Sequence, residues 1–361
     1  MASDNTANKV QTERARIKDE CSQCGLCSNG CAFLAENTSP AEMAARGISK
    51  EDAYSCSLCA KCQALCPLGL NPMGMFQERR VETMQKQELE PEEFNYFMPD
   101  CEDNVMNYYR QYYGIDYSNL ESDKGSTSYF FPGCTLMTYS PAITREIYNR
   151  LRLKQGCGGI LTDCCGLPLY QMGLNDRAGK FTNSLVEKIT DRGIKSLIAA
   201  CPNCYYELKA RLQPLGVKIL TVYEALDFSL GSQTDLPPCT VHDSCPDRME
   251  GKFARQTRNA LQNRGYKIVE MSNILQHSPC CGSGGQLSHF RPDLADKLVR
   301  DRLTEAENSG AQILASYCMS CVLNFARLES GLKVRHVLNL LLGIDEDYTE
   351  VKKRAAEIFV S

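Results

Sequence analysis

Two tight runs of cysteine lie near the start of the chain. Cys21, Cys24, Cys27 and Cys31 are spaced C-x2-C-x2-C-x3-C, and Cys56, Cys59, Cys62 and Cys66 repeat that spacing, with Pro67 after the last. Three thiolates three residues apart on a turning backbone can grip three irons of one cube. The fourth is carried off by the next turn and is better placed for a neighbouring cluster. The spacing therefore predicts two [4Fe-4S] cubane clusters that exchange fourth ligands. Cys21, Cys24, Cys27 and Cys66 would hold one, and Cys56, Cys59, Cys62 and Cys31 the other. Zinc also uses C-x2-C pairs, but its pairs stand a dozen or more residues apart, and the first histidine of this chain is His242.

A second set of cysteines forms an internal repeat. Its first copy reads Pro132-Gly133-Cys134, then Cys164-Cys165-Gly166, then Cys201-Pro202-Asn203-Cys204. Its second copy reads Asp243-Ser244-Cys245, then Cys280-Cys281-Gly282, then Cys318-Met319-Ser320-Cys321, at nearly the same intervals. Two copies mean one structural unit duplicated in tandem, because a solenoid needs at least three. Five thiols per copy is one more than an ordinary cubane needs. A vicinal pair cannot easily supply two independent corners of one cube, so the count hints at an unusual cluster. A zinc site or redox dithiol at each C-x2-C is the plainer reading, and the recurrence of the whole five-cysteine set argues against it.

The elements that must position these thiols can be read from the flanking residues. Short β-rich runs lead into nearly every group: Tyr129–Phe131 into Cys134, Ile160–Thr162 into Cys164, Ser196–Ala200 into Cys201, Thr240–His242 into Cys245, and Ile313–Tyr317 into Cys318. Helical patterns intervene, including Asp176–Thr190 and Pro292–Ala306. Alternating strands and helices imply small parallel sheets, which bind ligands beyond the carboxyl ends of their strands. Pro202 suits a first helical position, which places Cys201 and Cys204 where the helix dipole favours thiolate. The expected fold is α/β, with an N-terminal, mostly α-helical dicluster ferredoxin domain followed by tandem pseudo-twofold repeats. Residues 1–80 form the ferredoxin-type domain, 81–127 an aromatic and acidic connector, 128–232 the first repeat domain and 233–361 the second.

Composition narrows the function. The chain has 361 residues, 21 cysteines and a formal charge of −4, which is no basic excess for nucleic acid. An odd number of thiols cannot all pair within one chain. With a polar start and no apolar run long enough for a membrane, the expectation is a cytoplasmic metalloprotein, any membrane attachment coming through a partner. No G-x-G-x-x-G follows a strand, so no flavin or nicotinamide is expected on this chain. Gly282-Ser283-Gly284-Gly285 lacks the Lys-Ser/Thr of a phosphate loop and reads as a tight turn beside a cluster.

The repeat resembles the CCG domain of heterodisulfide reductase catalytic subunits, and the segment ahead of it resembles their dicluster partner, fused here into one chain. That order resembles the fused, D-type chain of heterodisulfide reductase. It is also similar to the iron–sulfur subunits of glycolate, lactate and anaerobic glycerol-3-phosphate dehydrogenases. The resemblance runs from about Cys21 to Gly343 and departs at Cys245-Pro246-Asp247-Arg248, where relatives often carry a histidine after the cysteine, and at Ala32, where proline is usual. It implies that Cys134, Cys164, Cys165, Cys201 and Cys204 hold one noncubane [4Fe-4S] cluster, and Cys245, Cys280, Cys281, Cys318 and Cys321 the other. It implies a catalytic oxidoreductase of anaerobic metabolism that reduces a small-molecule disulfide, of the CoB–CoM heterodisulfide type or related, fed through the ferredoxin pair. The electron donor would be a flavoprotein, a ferredoxin-linked complex or a membrane cytochrome. The alternative is an electron-transfer protein that passes electrons from a flavoprotein dehydrogenase to a quinone or membrane cytochrome.

Three cysteines, Cys101, Cys157 and Cys239, stay outside these sets and are expected to be packed thiols. His242 and His277 stand near the second copy's cysteines, where either a proton-donating or a hydrogen-bonding role is open. His289 and His336 carry no pattern. The connector's Phe94, Tyr96, Phe97, Tyr108, Tyr109, Tyr112, Tyr113 and Tyr117 are expected to pack over the chain's own domains, with a donor-docking face as the sharper reading.

Overall fold

The computed structural model describes residues 12–120, 125–228 and 234–360. The cysteine-run region is helical. Ser39 and Ser49 each begin a capping box, with Glu42 and Asp52 answering three residues on, and start the helices Pro40–Arg46 and Lys50–Tyr54. Asn71 caps the helix Pro72–Gln85, which runs across the expected boundary at residue 80.

Two three-stranded parallel sheets follow. The first has β1 (Ser128–Phe131), β2 (Ser196–Ala199) and β3 (Lys218–Thr221) in the order β1-β2-β3. The second has β4 (Cys239–His242), β5 (Ile313–Ser316) and β6 (Lys333–His336) in the same relative order. Matching register puts Phe131 of the first sheet where the second has His242. Helices cover these strands, so Phe130, Phe131, Ala199, Val241, Leu314 and Ala315 are fully buried, as in a sheet covered on both faces. The expected helices appear as Asn175–Asp191 and Pro292–Asn308. The run Ile160–Thr162 makes no strand; Ile160 contributes one parallel bridge to Phe130, and Ile268 does the same beside Cys239.

One core unites the two repeats. A second unites the helical region with both of them, through Leu169 and Met172 of the first and Leu287, Leu294 and Ala295 of the second. The connector is mostly used internally: Phe94, Tyr109 and Tyr117 are buried, and the Tyr117 hydroxyl donates to Met137 O at 2.7 Å. Tyr108, Tyr112 and Tyr113 remain exposed. No helix among the described residues is long and apolar enough to cross a membrane.

Candidate metal centres

The two cysteine runs share one backbone path. Gln23 and Leu58, at equivalent places, both take positive φ (55° each), as do Gly25 (76°) and Ala60 (57°). Left-handed Gln, Leu and Ala are strained, and that strain turns each run around a common centre. Two cavities result. Cys31, Cys56, Cys59 and Cys62 line an inner one, and Cys21, Cys24, Cys27 and Cys66 an outer one. Thus Cys31 and Cys66 each join the other run's thiols. Neither lining contains a carboxylate or an imidazole, so the donor set is thiol only and fits an iron–sulfur cluster. Burial pushes Cys31 up to about 11 and Cys56 up to about 12. Filling the inner cavity must therefore expel protons.

Cys280 also lines the inner cavity, and its thiol touches that of Cys59. Here the second repeat meets the cysteine runs. The turn Gly282–Gly285 makes the approach possible, because a Cβ on Gly285 would sit 2.7 Å from Cys56 O and one on Gly284 2.8 Å from Ser57 O. Arg248 spans the same seam. Its Nε donates to Cys59 O at 3.1 Å and its Nη1 to Ser278 O at 2.7 Å.

Within the repeats the thiols sit where strands end. Cys134 opens the helix Cys134–Tyr139 after β1, Cys201 precedes the helix Pro202–Leu212 after β2, and Cys318 precedes the helix Met319–Ala326 after β5. Their side chains form an unbroken series of contacts: Cys134 to Cys164, Cys165, Cys204 and Cys201, then across to Cys318, Cys321, Cys281 and Cys280, and so to Cys59. Cys201 and Cys318 are equivalent positions of the two copies, so the repeats meet on their pseudo-twofold. Cys245 stands beside Cys280 and Cys281.

The ionisation pattern departs from the helix-dipole expectation. Hydrogen bonds that its thiol donates to Cys165 and Cys201, and burial, hold Cys204 well above the ordinary thiol value. Cys204 also donates to Cys201, yet contact with Cys318 and burial keep Cys201 up as well. The thiols held furthest down are the second members of the vicinal pairs and Cys318, to which Cys201 and Cys321 donate. Cys164 and Cys204 donate to Cys165, Cys280 and Cys321 donate to Cys281, and both are held well below the usual range. A helix terminus contributes about 0.3–1 kcal/mol, too little to outweigh neighbouring thiols and burial.

Of the histidines, His242 lies among the thiols of the second repeat. A ring nitrogen and the sulfurs of Cys281 and Cys321 fall within 4.8 Å of one another, and its Nδ1 accepts from Arg302 Nε at 3.1 Å. Burial and Arg302 push it down to about 3, so it is a neutral hydrogen-bonding group rather than a cationic acid. His277 is exposed and His289 packs against Phe94 and Tyr96. Cys157 and Cys239 are buried, while Cys101 is half-buried and lies 3.6 Å from Arg177 Nη2. Sequence reasoning missed Arg110, which comes from the connector to the neighbourhood of Cys134 and Cys164. It also missed Lys352, whose Nζ donates to Asn324 Oδ1 at 2.7 Å and which burial pushes down to about 8.

His336 carries a consequence for pH. Its Nδ1 accepts from Leu338 N at 3.2 Å at the start of the helix Val337–Leu342, and burial pushes the ring down to about 4. The unfolded chain takes a proton near 6.5 that the folded chain refuses until about 4. Stability is therefore complete above 6.5, and up to about 3 kcal/mol is lost as pH falls between those values. Anaerobic unfolding midpoints should fall less steeply over that range in His336→Asn than in the native protein. Equal slopes would remove His336 as the cause.

Residues 128–209 and 239–326 each match the family described as the cysteine-rich CCG domain, and residues 20–71 match the 4Fe-4S dicluster domain. The chain is 27% identical to one chain of the dihydromethanophenazine:CoB–CoM heterodisulfide reductase of Methanosarcina mazei, over 80% of this chain and 76% of that one. It is 24% identical to one chain of the fumarate reductase (CoM/CoB) of Methanothermobacter marburgensis, over 91% and 72%. It is 22% identical to EtfAB:quinone oxidoreductase of Syntrophomonas wolfei, over 66% and 37%. Fold and sites thus define an iron–sulfur protein in which a dicluster domain precedes two CCG domains. As a whole it is similar to chains of heterodisulfide reductases.

Proposed function

We propose that this chain is the catalytic iron–sulfur subunit of a complex that reduces a small-molecule disulfide, of the CoB–CoM heterodisulfide type or a related one. Cys134, Cys164, Cys165, Cys201 and Cys204 would hold one noncubane [4Fe-4S] cluster, and Cys245, Cys280, Cys281, Cys318 and Cys321 the other. The inner and outer cavities would hold cubane clusters. Bound there, such clusters supply one electron each. The reading is carried by one observation: both five-thiol sets are complete, and they meet at Cys201 and Cys318.

Breaking a disulfide takes two electrons and two protons and leaves two thiols. Two equivalent thiol sets facing each other suit a substrate with two adjoining sulfurs. Lys352, held near 8 beside Cys281 and Cys321, is a group that can release a proton near neutral pH. The electrons would come from a partner protein, in keeping with relatives that are named as subunits. A cytoplasmic location, with a membrane reached only through that partner, fits the same reading.

The test is anaerobic. Purified holoprotein should carry about 16 iron per chain, as four four-iron clusters require. Addition of CoB–CoM heterodisulfide, or of a panel of other small disulfides, to the oxidised protein should change the EPR signal of the repeat clusters. Full iron with silence towards every disulfide would favour an electron-transfer role, the reading supported by the likeness to a quinone oxidoreductase. About eight iron with stoichiometric zinc would remove both readings.

A further inference from the structure

Three cations surround the inner cavity with no carboxylate to answer them. Lys61 is 5% exposed and donates only to Gly30 O, at 3.2 Å. Arg80 is fully buried beneath Tyr54 and donates to four carbonyls: Ala53 O at 3.0 Å, Cys56 O at 2.6 Å, Gln171 O at 2.6 Å and Gly285 O at 2.9 Å. Arg248 is 6% exposed and likewise donates only to carbonyls, while its Nη2 is buried with no partner. None of the three forms an ion pair among the described residues. Elsewhere the buried Arg302 reaches Glu305 at 2.6 Å, and the half-buried Arg258 reaches Asp243 at 2.7 Å.

Burying a cation without an anion is among the costliest arrangements in a folded chain. Three at one place require a common counter-charge. What they enclose is the set Cys31, Cys56, Cys59 and Cys62, two of whose own carbonyls they grip. The outer cavity has no charged side chain in its lining. The difference lies between two sites that each gather four thiols of the cysteine runs.

We propose that Lys61, Arg80 and Arg248 are the counter-ions of the inner cluster and hold its reduction potential up. The inference rests on the cubane reading of the inner cavity. Reduction adds one electron and no proton, so the reduced state is one charge more negative and gains more from the three cations than the oxidised state does. These are positioning residues: they touch the backbone of the ligand loops and act on the cluster through charge. Arg80 also joins the cysteine runs to the carbonyls of both repeats, which places the same charge at the seam.

Charge and structure are separated by paired variants. Lys61→Met and Arg248→Gln remove a charge, whereas Lys61→Arg and Arg248→Lys keep it. Dithionite titration of the whole holoprotein followed by EPR reads both ferredoxin-type signals. In each neutral variant one signal should need at least a tenfold change in reductant poise, 59 mV for a one-electron couple, in the direction of harder reduction. The other signal should stay in place, as should both signals in the charge-keeping variants. Lys18→Gln, an exposed position three residues before Cys21, should move neither.

Metal-free protein supplies a second readout of opposite sign, since Lys61→Met should raise its unfolding midpoint by relieving a buried charge. Unchanged potentials in both neutral variants, with iron intact, overturn the inference and leave the cluster assignment standing. Equal shifts in Lys61→Met and Lys61→Arg also overturn it, as a packing effect. Neutral variants that shed iron while their charge-keeping partners retain it support the counter-ion role. Native protein without two ferredoxin-type signals overturns both the inference and the reading beneath it.

Discussion

Cys59→Ala is expected to cost the protein about four of the roughly 16 iron atoms that the proposed four clusters require, and to disturb a second cluster that the substituted residue would not ligate. Cys59 lines the inner cavity and touches Cys280, so its thiol belongs to two environments at once. Cys62→Ala removes a thiol from the same cavity and leaves the Cys59–Cys280 contact intact. Both variants should lose the inner cluster. Only Cys59→Ala should also shift the EPR signal of the second-repeat cluster. If the proposed disulfide reduction holds, its rate should fall by about 100-fold in Cys59→Ala, the upper range for disturbing a metal's surroundings. Identical spectra for the two variants would show that the contact is incidental.

Gly133→Ala is expected to empty the first repeat while sparing the second. Gly133 has φ 87° and ψ 143°, a conformation that costs about 1–3 kcal/mol for any residue with a side chain. Its Cβ would also stand 2.8 Å from Cys201 Cβ and 3.2 Å from Cys204 Sγ, in the middle of one ligand set. Neither contact is with a flexible tip that can swing away. The equivalent residue of the second repeat is Ser244, whose ordinary backbone admits a side chain and whose Oγ lies 3.7 Å from Cys321 Sγ. Iron should drop by about four per chain, with the second repeat's signal retained. Gly156→Ala is the control: φ is 61° and nothing lies within 4 Å of the new methyl, so it should lower stability by about 1 kcal/mol at full iron. Equal iron in the two variants would mean that the ligand set tolerates the intrusion.

Legibility in the sequence followed how local each feature is. The placing of Cys31 beside the second run and of Cys66 beside the first was readable because all eight thiols lie between Cys21 and Cys66 and one backbone path serves both runs. The strands β1, β2, β4 and β5 were readable as apolar runs ending at cysteine. The edge strands β3 and β6, which begin with exposed Lys218 and Lys333, are too short and too polar on one side to stand out. Ile160–Thr162 has strand-like residues but finds a partner only at Phe130. The contacts Cys59–Cys280 and Cys201–Cys318 join residues far apart in the chain, and no spacing encodes them. Arg80 and Arg248 look like ordinary surface arginines in sequence. Their burial depends on carbonyls that other segments bring.

The turn Gly282–Gly285 has a consequence for the order of the two halves. A chain rebuilt with the repeats exchanged would keep every cysteine, every strand and the pseudo-twofold itself. It would, however, present Leu167-Pro168-Leu169 to the carbonyls of Cys56 and Ser57, where only Gly284 and Gly285 leave room. Such a permuted protein would fold each half and fail to seat the helical region against either. The duplication is thus no longer interchangeable: two glycines have given one half a fixed neighbour and released the other from that duty.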